Sequence, residues 1–326
     1  MEYPKFLNEK NNTIGVCAMS SGVGHKLDSF DESMEYIKMH GFHVVETASV
    51  RNNSEPSCDG LSRVRELNSL IEDEKVSAIW LAAGGDFQFE TLPYLDFDWI
   101  EKNPKWYLGA SDPTNLLFPI TCKCDIATIY GFNAGSFDTY GINAYSSLCL
   151  DFLKGKNSIL HSSPKHQDVD FYNDGAPILN TKTEYIGNCD VTGRLLGGCF
   201  ESIHDMAGTP YDYVESFNTR YQSDGIIWFF DIFSMNSCDV YRALLKMKYM
   251  GYFKYTKTIL VGRVLFKNVS DLIDYEEAFK KALPDIDVVF KMDIGHTYPH
   301  MYVVNGAKAH VQVLNGSGSI EYVINE

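Results

Sequence analysis

The sequence has no basic run and no apolar run approaching the about 20 residues that a bilayer-spanning helix needs. Its formal net charge of −15 also works against a phosphate-backbone partner or an anionic membrane surface, because affinity for either is carried by clustered Lys and Arg. No nucleic-acid or membrane partner is therefore expected. The opening Met1-Glu2-Tyr3-Pro4-Lys5 lacks the charged-then-apolar pattern of a secretory signal, so a cytoplasmic location is expected. Of the eight cysteines only Cys122 and Cys124 lie close together, and they have no histidine or further cysteine nearby to complete a zinc set. Buried thiols, and no metal, are the expectation. What remains is ordinary for a globular chain: 326 residues, 45 % hydrophobic and 22 % charged, which suggests about two domains with a core each.

Along the N-terminal half, buried strands alternate with amphipathic helices. The run from Thr13 to Ala18 is followed by a helix with Leu27, Phe30, Met34 and Ile37 on one face, closed by Gly41 before the strand Phe42 to Glu46. Gly22-Val23-Gly24 between them could cradle a phosphate, though it lacks the third glycine of a dinucleotide fingerprint. A second helix, opened by Asp59, points Leu61, Val64, Leu67 and Leu70 inward with Arg63 and Arg65 flanking. The strand Val76 to Ala82 then runs into Ala83-Gly84-Gly85-Asp86. That double glycine is either a plain strand–helix turn or a pair of backbone N–H donors aimed at a ligand. Further strands are expected at residues 106–109 and from Ala127 to Phe132, and the alternation specifies a doubly wound parallel sheet.

The stretch Trp106 to Leu117 turns sharply from strand to helix at Ser111. Asp112 suits an N-cap and Pro113 the first helical position, which would leave free N–H groups near the serine at the positive helix end. Gly109 and Ala110 allow a tight elbow, although this is not the G-x-S-x-G of α/β-hydrolases. A capping serine and a nucleophile both fit.

From Lys154 to about Asn188 the chain is polar and rich in turn residues, including Asn173-Asp174-Gly175-Ala176-Pro177, and reads as a connection carrying His161 and His166. The expected divisions are thus 1–153, 154–188 and 189–326. In the last, Gly225 to Phe230 is an apolar strand ending at Asp231, either a turn cap or the anchor of a catalytic histidine. Helices are expected from about Asp239 to Met250 and from Ser270 to Leu283, with strands from Thr258 to Phe266 and Asp287 to Phe290. His296 follows in a Gly- and Pro-bounded loop, with His300 as competitor, and Lys308 to Leu314 and Ser319 to Ile324 form an antiparallel hairpin. This second domain is expected to be a smaller α/β unit with a mixed sheet.

Five segments occur in an order and spacing that resemble the LD-carboxypeptidase family of serine peptidases, which includes the microcin C self-immunity peptidases. They are Ala83-Gly84-Gly85 with residues 92–96, Gly109-Ala110-Ser111-Asp112, Leu196-Gly197-Gly198 with Gly208-Thr209-Pro210, residues 225–231, and Gly295-His296-Thr297-Tyr298-Pro299. The resemblance implies Ser111 as nucleophile, His296 as general base and Asp231 in the place of a catalytic Glu. The oxyanion would be held by backbone N–H groups of Asp112 and the Gly84-Gly85 turn, each such donor worth about 3–4 kcal/mol. No cofactor is required. A further departure is Asp86, where many relatives carry an aromatic residue. The substrate implied is an LD-linked murein peptide that loses its C-terminal residue, or alternatively a peptide–nucleotide antibiotic. A catalytically silent peptide binder is the third possibility, because Asp is one methylene shorter than Glu. A carboxypeptidase reads a free carboxylate, for which Arg194 or Arg220 could serve, and either could equally be an ion-pair partner. Trp228 and the tyrosines leave room for an aromatic platform. The resemblance also implies a homodimer.

Overall fold

A computed structural model describes residues 1–137, 141–157, 159–167 and 177–324. The chain divides into two units of nearly equal length, residues 1–157 with 302–306, and residues 158–301 with 307–326. The second unit is therefore not the smaller one.

Unit 1 is built on five parallel strands, β1 (Thr13–Cys17), β2 (His43–Glu46), β3 (Val76–Leu81), β4 (Trp106–Gly109) and β5 (Thr128–Tyr130), in the spatial order β2-β1-β3-β4-β5. The order reverses direction at β1/β3, and ligands of doubly wound sheets bind beyond the strand C-termini at such a point. The near-continuous apolar runs of β1, β3 and β4 are buried, as strands covered on both faces must be. Helices α1 (Leu27–Met39), α2 (Gly60–Glu72), α3 (Phe97–Lys102), α4 (Thr114–Pro119) and α5 (Tyr145–Leu153) alternate with them. On α1 the buried face is Phe30, Ser33, Met34 and Ile37, and Leu27 is exposed.

Asp59 caps α2 by accepting from the Ser62 N–H at 3.0 Å. Its inward face departs from expectation, because Leu61 is exposed and Arg63 is fully buried. Arg63 is accommodated by donating to the Met19 and Phe87 carbonyls at 2.7 and 3.0 Å and by pairing with Glu90, which offsets the cost of burying its charge.

The Gly22-Val23-Gly24 loop does not offer its N–H groups to a phosphate. They donate to Ser54, Val50 and Asn52 carbonyls at 3.2, 2.8 and 3.0 Å. A Cβ on Gly22 would lie 2.1 Å from the Asn52 oxygen, so these glycines serve the close approach of two backbones.

The segment expected as a connection instead contributes strands β6 (Leu160–His161), β7 (Lys165–Gln167) and β8 (Leu179–Lys182) to unit 2. Most of the expected turn at 173–177 lies outside the described residues. Strands β9 (Cys189–Cys199), β10 (Ile226–Asp231), β11 (Thr256–Gly262) and β12 (Val288–Met292) are parallel neighbours. Helices α6 (Phe200–Met206), α7 (Val214–Tyr221), α8 (Ser237–Tyr249) and α9 (Tyr275–Ala282) lie among them in sequence. The chain then enters unit 1 as β13 (Val303–Asn305), which pairs antiparallel with β5, and returns as β14 (Lys308–Leu314) and β15 (Ser317–Tyr322). The resulting mixed sheet runs β12-β11-β10-β9-β14-β15-β6.

Helix α9 starts later than expected, because Asp274 and Glu277 form a reciprocal capping box. Gly197 of β9 is required by its neighbour, since a Cβ there would meet the Phe229 carbonyl oxygen at 1.8 Å. No helix among the described residues is long and apolar enough to cross a membrane.

Candidate active site

In unit 1 the end of β4 turns into α4 through Ser111, which is held at φ 69°, a left-handed conformation that few non-glycine residues adopt. Such strain persists only where its surroundings enforce it. Here the Ala110 N–H donates to Asn133 Oδ1 at 2.9 Å and Asn133 Nδ2 returns a bond to the Ala110 carbonyl at 3.0 Å. The Ser111 N–H donates to the Tyr130 hydroxyl at 3.1 Å. Both partners come from the end of β5 and the residues just after it, so two adjacent strand ends set the elbow. Gly109 is needed because a Cβ there would lie 2.6 Å from Pro113 Cβ.

The double glycine lies against the serine. A Cβ on Gly84 would sit 3.2 Å from Ser111 Cβ and 3.3 Å from its Oγ, and Gly85 has φ 136°. Among the described residues neither the Gly85 nor the Asp112 N–H has a backbone acceptor, which leaves both groups available.

Asp112 does not cap α4 with its side chain. Its buried carboxylate accepts from Ser20 Oγ, from the Gln88 N–H at 2.9 Å and from Asn115 Nδ2 at 2.7 Å. These bonds tie the elbow to the loops after β1 and β3. Burial raises the Asp112 carboxyl above the ordinary carboxylate range, and the Ser20, Gln88 and Asn115 bonds oppose that rise.

In unit 2 Asp231 ends the fully buried strand β10, and His296 Nδ1 lies 2.8 Å from its Oδ2. The shorter side chain therefore reaches the imidazole. It does so because the loop comes close: a Cβ on Gly295, at φ 97°, would lie 2.1 Å from Asp231 Oδ1. Burial pulls the His296 ring downward, but the Asp231 charge and hydrogen bond, with the Glu201 charge, outweigh it and leave its pKa raised. The competitor His300 is buried and pushed down to about 4, first by burial and then by His296, so it is neutral at pH 7.

The loop carrying His296 is anchored by a buried ion pair that sequence reading missed. Arg263, just beyond β11, donates to Asp293 Oδ1 at 2.6 Å, Thr297 Oγ1 at 3.0 Å and the Pro299 carbonyl at 2.9 Å. Asp293 Oδ2 also accepts from the Ser163 N–H at 2.7 Å and the Tyr185 hydroxyl at 2.8 Å. A charged residue directly after a buried strand was the available signal, the same one that marks Asp231.

Other expected positions lie elsewhere. Arg194 pairs with Asp224 at 2.8 Å and stacks over Tyr221 at 4.4 Å, opposite Ile226 at the start of β10 and so at the other end of that strand from Asp231. It thus takes the ion-pair role that was the alternative to reading a carboxylate. Arg220 is exposed on α7. Trp228 is fully buried and stacked on Tyr252, so it forms core and no platform. His161 is exposed, and His166 Nδ1 lies 3.3 Å from Thr183 Oγ1. Cys122 and Cys124 are both buried, and no group of three His, Cys, Asp or Glu among the described residues is placed to hold a metal.

One unit is thus a doubly wound sheet with a strained serine elbow, and the other a mixed sheet with a strand-end acid beside a histidine. The sequence matches the LD-carboxypeptidase N-terminal domain over residues 14–131 and the LD-carboxypeptidase C-terminal domain over residues 192–311, and the chain belongs to that family. A Vibrio cholerae protein whose name calls it a presumed carboxypeptidase is 26 % identical over 310 residues, 90 % of this chain and 89 % of that protein. The microcin C7 self-immunity protein MccF of Escherichia coli is 25 % identical over 311 residues, covering 89 % and 87 %. The fold is that of the MccF-like protein from Bacillus anthracis, with a TM-score of 0.82 and full coverage of both chains at 23 % identity.

Proposed function

We propose that this chain is a working serine carboxypeptidase that removes the C-terminal residue of an LD-linked murein peptide. The observation that carries this reading is the Asp231–His296 pair, with 2.8 Å between Oδ2 and Nδ1 on a loop that only Gly295 allows so close. In this reading Ser111 is the nucleophile, His296 takes its proton, and Asp231 holds the imidazole tautomer and stabilises the imidazolium that forms. The N–H groups of Asp112 and of the Gly84-Gly85 turn hold the oxyanion, each worth about 3–4 kcal/mol. Transfer of the acyl group to Ser111 releases the C-terminal residue, and water then frees the shortened peptide. A homodimer and a cytoplasmic location belong to the same reading, and light scattering of the purified protein tests the first.

The experiment is intact-mass analysis after incubation with a fluorophosphonate. The expected result is one adduct on the wild type, absent from both Ser111→Ala and His296→Ala. Persistence of the adduct in Ser111→Ala would remove the nucleophile assignment. Wild type that stays unmodified yet binds a murein tetrapeptide would identify a silent binder instead.

A further inference from the structure

Resting on that reading, we propose that Glu201 is a positioning residue of the same site, holding the His296 ring through the loop that follows Asp231. Glu201 lies in the first turn of α6, directly after β9, and its role is not visible in any sequence motif. Its Oε1 accepts from three consecutive backbone N–H groups, those of Phe233, Ser234 and Met235, at 3.0, 2.9 and 2.9 Å. Its Oε2 takes a further, longer bond from Phe233 at 3.3 Å and one from Cys199 Sγ at 3.4 Å. Three successive N–H groups converging on one oxygen form an anion-binding nest, and here the chain supplies its own anion.

The nest fixes what its residues carry. The Phe233 ring packs against the His296 imidazole with centroids 4.6 Å apart and also contacts the Phe266 ring edge-on at 5.0 Å. The Met235 carbonyl accepts from the Tyr275 hydroxyl at 2.8 Å, which ties the far end of the nest to α9. Asp231 Oδ2 thus lies 2.8 Å from one imidazole nitrogen, while the loop braced by Glu201 packs Phe233 against the ring. A one-methylene-shorter acid tolerates less drift of its partner, so this second restraint answers the replacement of Glu by Asp. Glu201 also acts through charge. The groups that bear on His296 are Asp231 at the end of β10 and Glu201 on α6, both favouring the imidazolium, and His300 on its own loop, which is neutral at pH 7.

Two variants separate the restraint from the charge. Glu201→Gln retains an oxygen for the nest and loses the charge. Glu201→Ala loses both. The readouts are the His296 titration followed by NMR, which needs no substrate, and the rate of fluorophosphonate labelling across pH, with a thermal melt to verify folding. For Glu201→Gln the His296 midpoint moves to lower pH and the high-pH plateau of labelling stays within a few-fold of wild type. For Glu201→Ala the midpoint falls likewise and the plateau drops on the order of 10- to 100-fold, as misplacement of a reacting group by ~1 Å does. An unmoved midpoint in Glu201→Gln, or a folded Glu201→Ala that labels at the wild-type plateau rate, would overturn the proposal. Should wild type itself resist labelling, the peptidase reading fails, while the titration still decides whether Glu201 acts on His296.

Discussion

Asp231 is one methylene shorter than the Glu that the proposed reading puts in its place. The loop carrying His296 comes close to it: the Gly295 Cα approaches the carboxylate so closely that an added Cβ would lie 2.1 Å from Oδ1. Restoring the longer acid therefore requires the loop to retreat. Asp231→Glu is expected to lower the fluorophosphonate labelling rate on the order of 10- to 100-fold, and an increase would show a site impaired by its aspartate. In the proposed role His296 acts in its neutral form, and its pKa is raised, so the labelling rate is expected to fall as pH drops through a midpoint above 6.5, its ordinary value. Asp231→Asn removes the main upward influence, so that midpoint should move to lower pH while the plateau also falls. His300 titrates in the opposite sense. Its folded pKa of about 4 lies below its unfolded one, so between pH 6.5 and 4 the unfolded chain binds the extra proton. Stability is expected to fall across that window by about 3 kcal/mol, and His300→Gln should flatten the fall in melting temperature with pH.

Among the elements, the sites of tightest constraint are where a strand meets a neighbour without room for a side chain. Gly197→Ala on β9 would drive a methyl into the Phe229 carbonyl of β10 and is expected to cost at least ~2 kcal/mol, read by urea denaturation. Loss of the Asp274 cap by Asp274→Ala should cost about 1 kcal/mol, since both halves of the capping box go with it. These elements also show where periodicity misleads. On α2 the apolar spacing places Leu61 inward, yet it is Arg63 that is buried, because three acceptors wait for its guanidinium on Met19, Phe87 and Glu90. The glycines after β1 likewise look like a phosphate loop until the carbonyls of Val50, Asn52 and Ser54 are seen to take their N–H groups.

For the whole molecule, the notable feature is the path of the chain after residue 301. It leaves unit 2, adds β13 to the edge of the unit 1 sheet beside β5, and returns to unit 2 as β14 and β15. Neither unit is a continuous segment. A fragment ending at residue 157 leaves β5 as a bare edge, whose unpaired N–H and C=O groups invite association. Such a fragment, expressed alone, is expected to aggregate, and a monomeric elution with native-like circular dichroism would contradict this.

The alternation of apolar strands with amphipathic helices determined the doubly wound unit, because buried parallel strands need continuous hydrophobicity and their crossovers need helices. Short-range chemistry likewise determined the Ser111 elbow as a sharp strand-to-helix turn and the termination of α1 and α8 at Gly41 and Gly251, both at positive φ. The tertiary structure alone decided whatever depends on which distant backbone supplies a partner. That includes β13 on the edge of unit 1, β6 to β8 in place of a connection, the commitment of Arg194 to Asp224, and the closeness of Gly295 that lets a short Asp231 reach His296. Periodicity records which faces are apolar, whereas hydrogen-bond acceptors and close backbone contacts come from residues far along the chain and leave no local pattern.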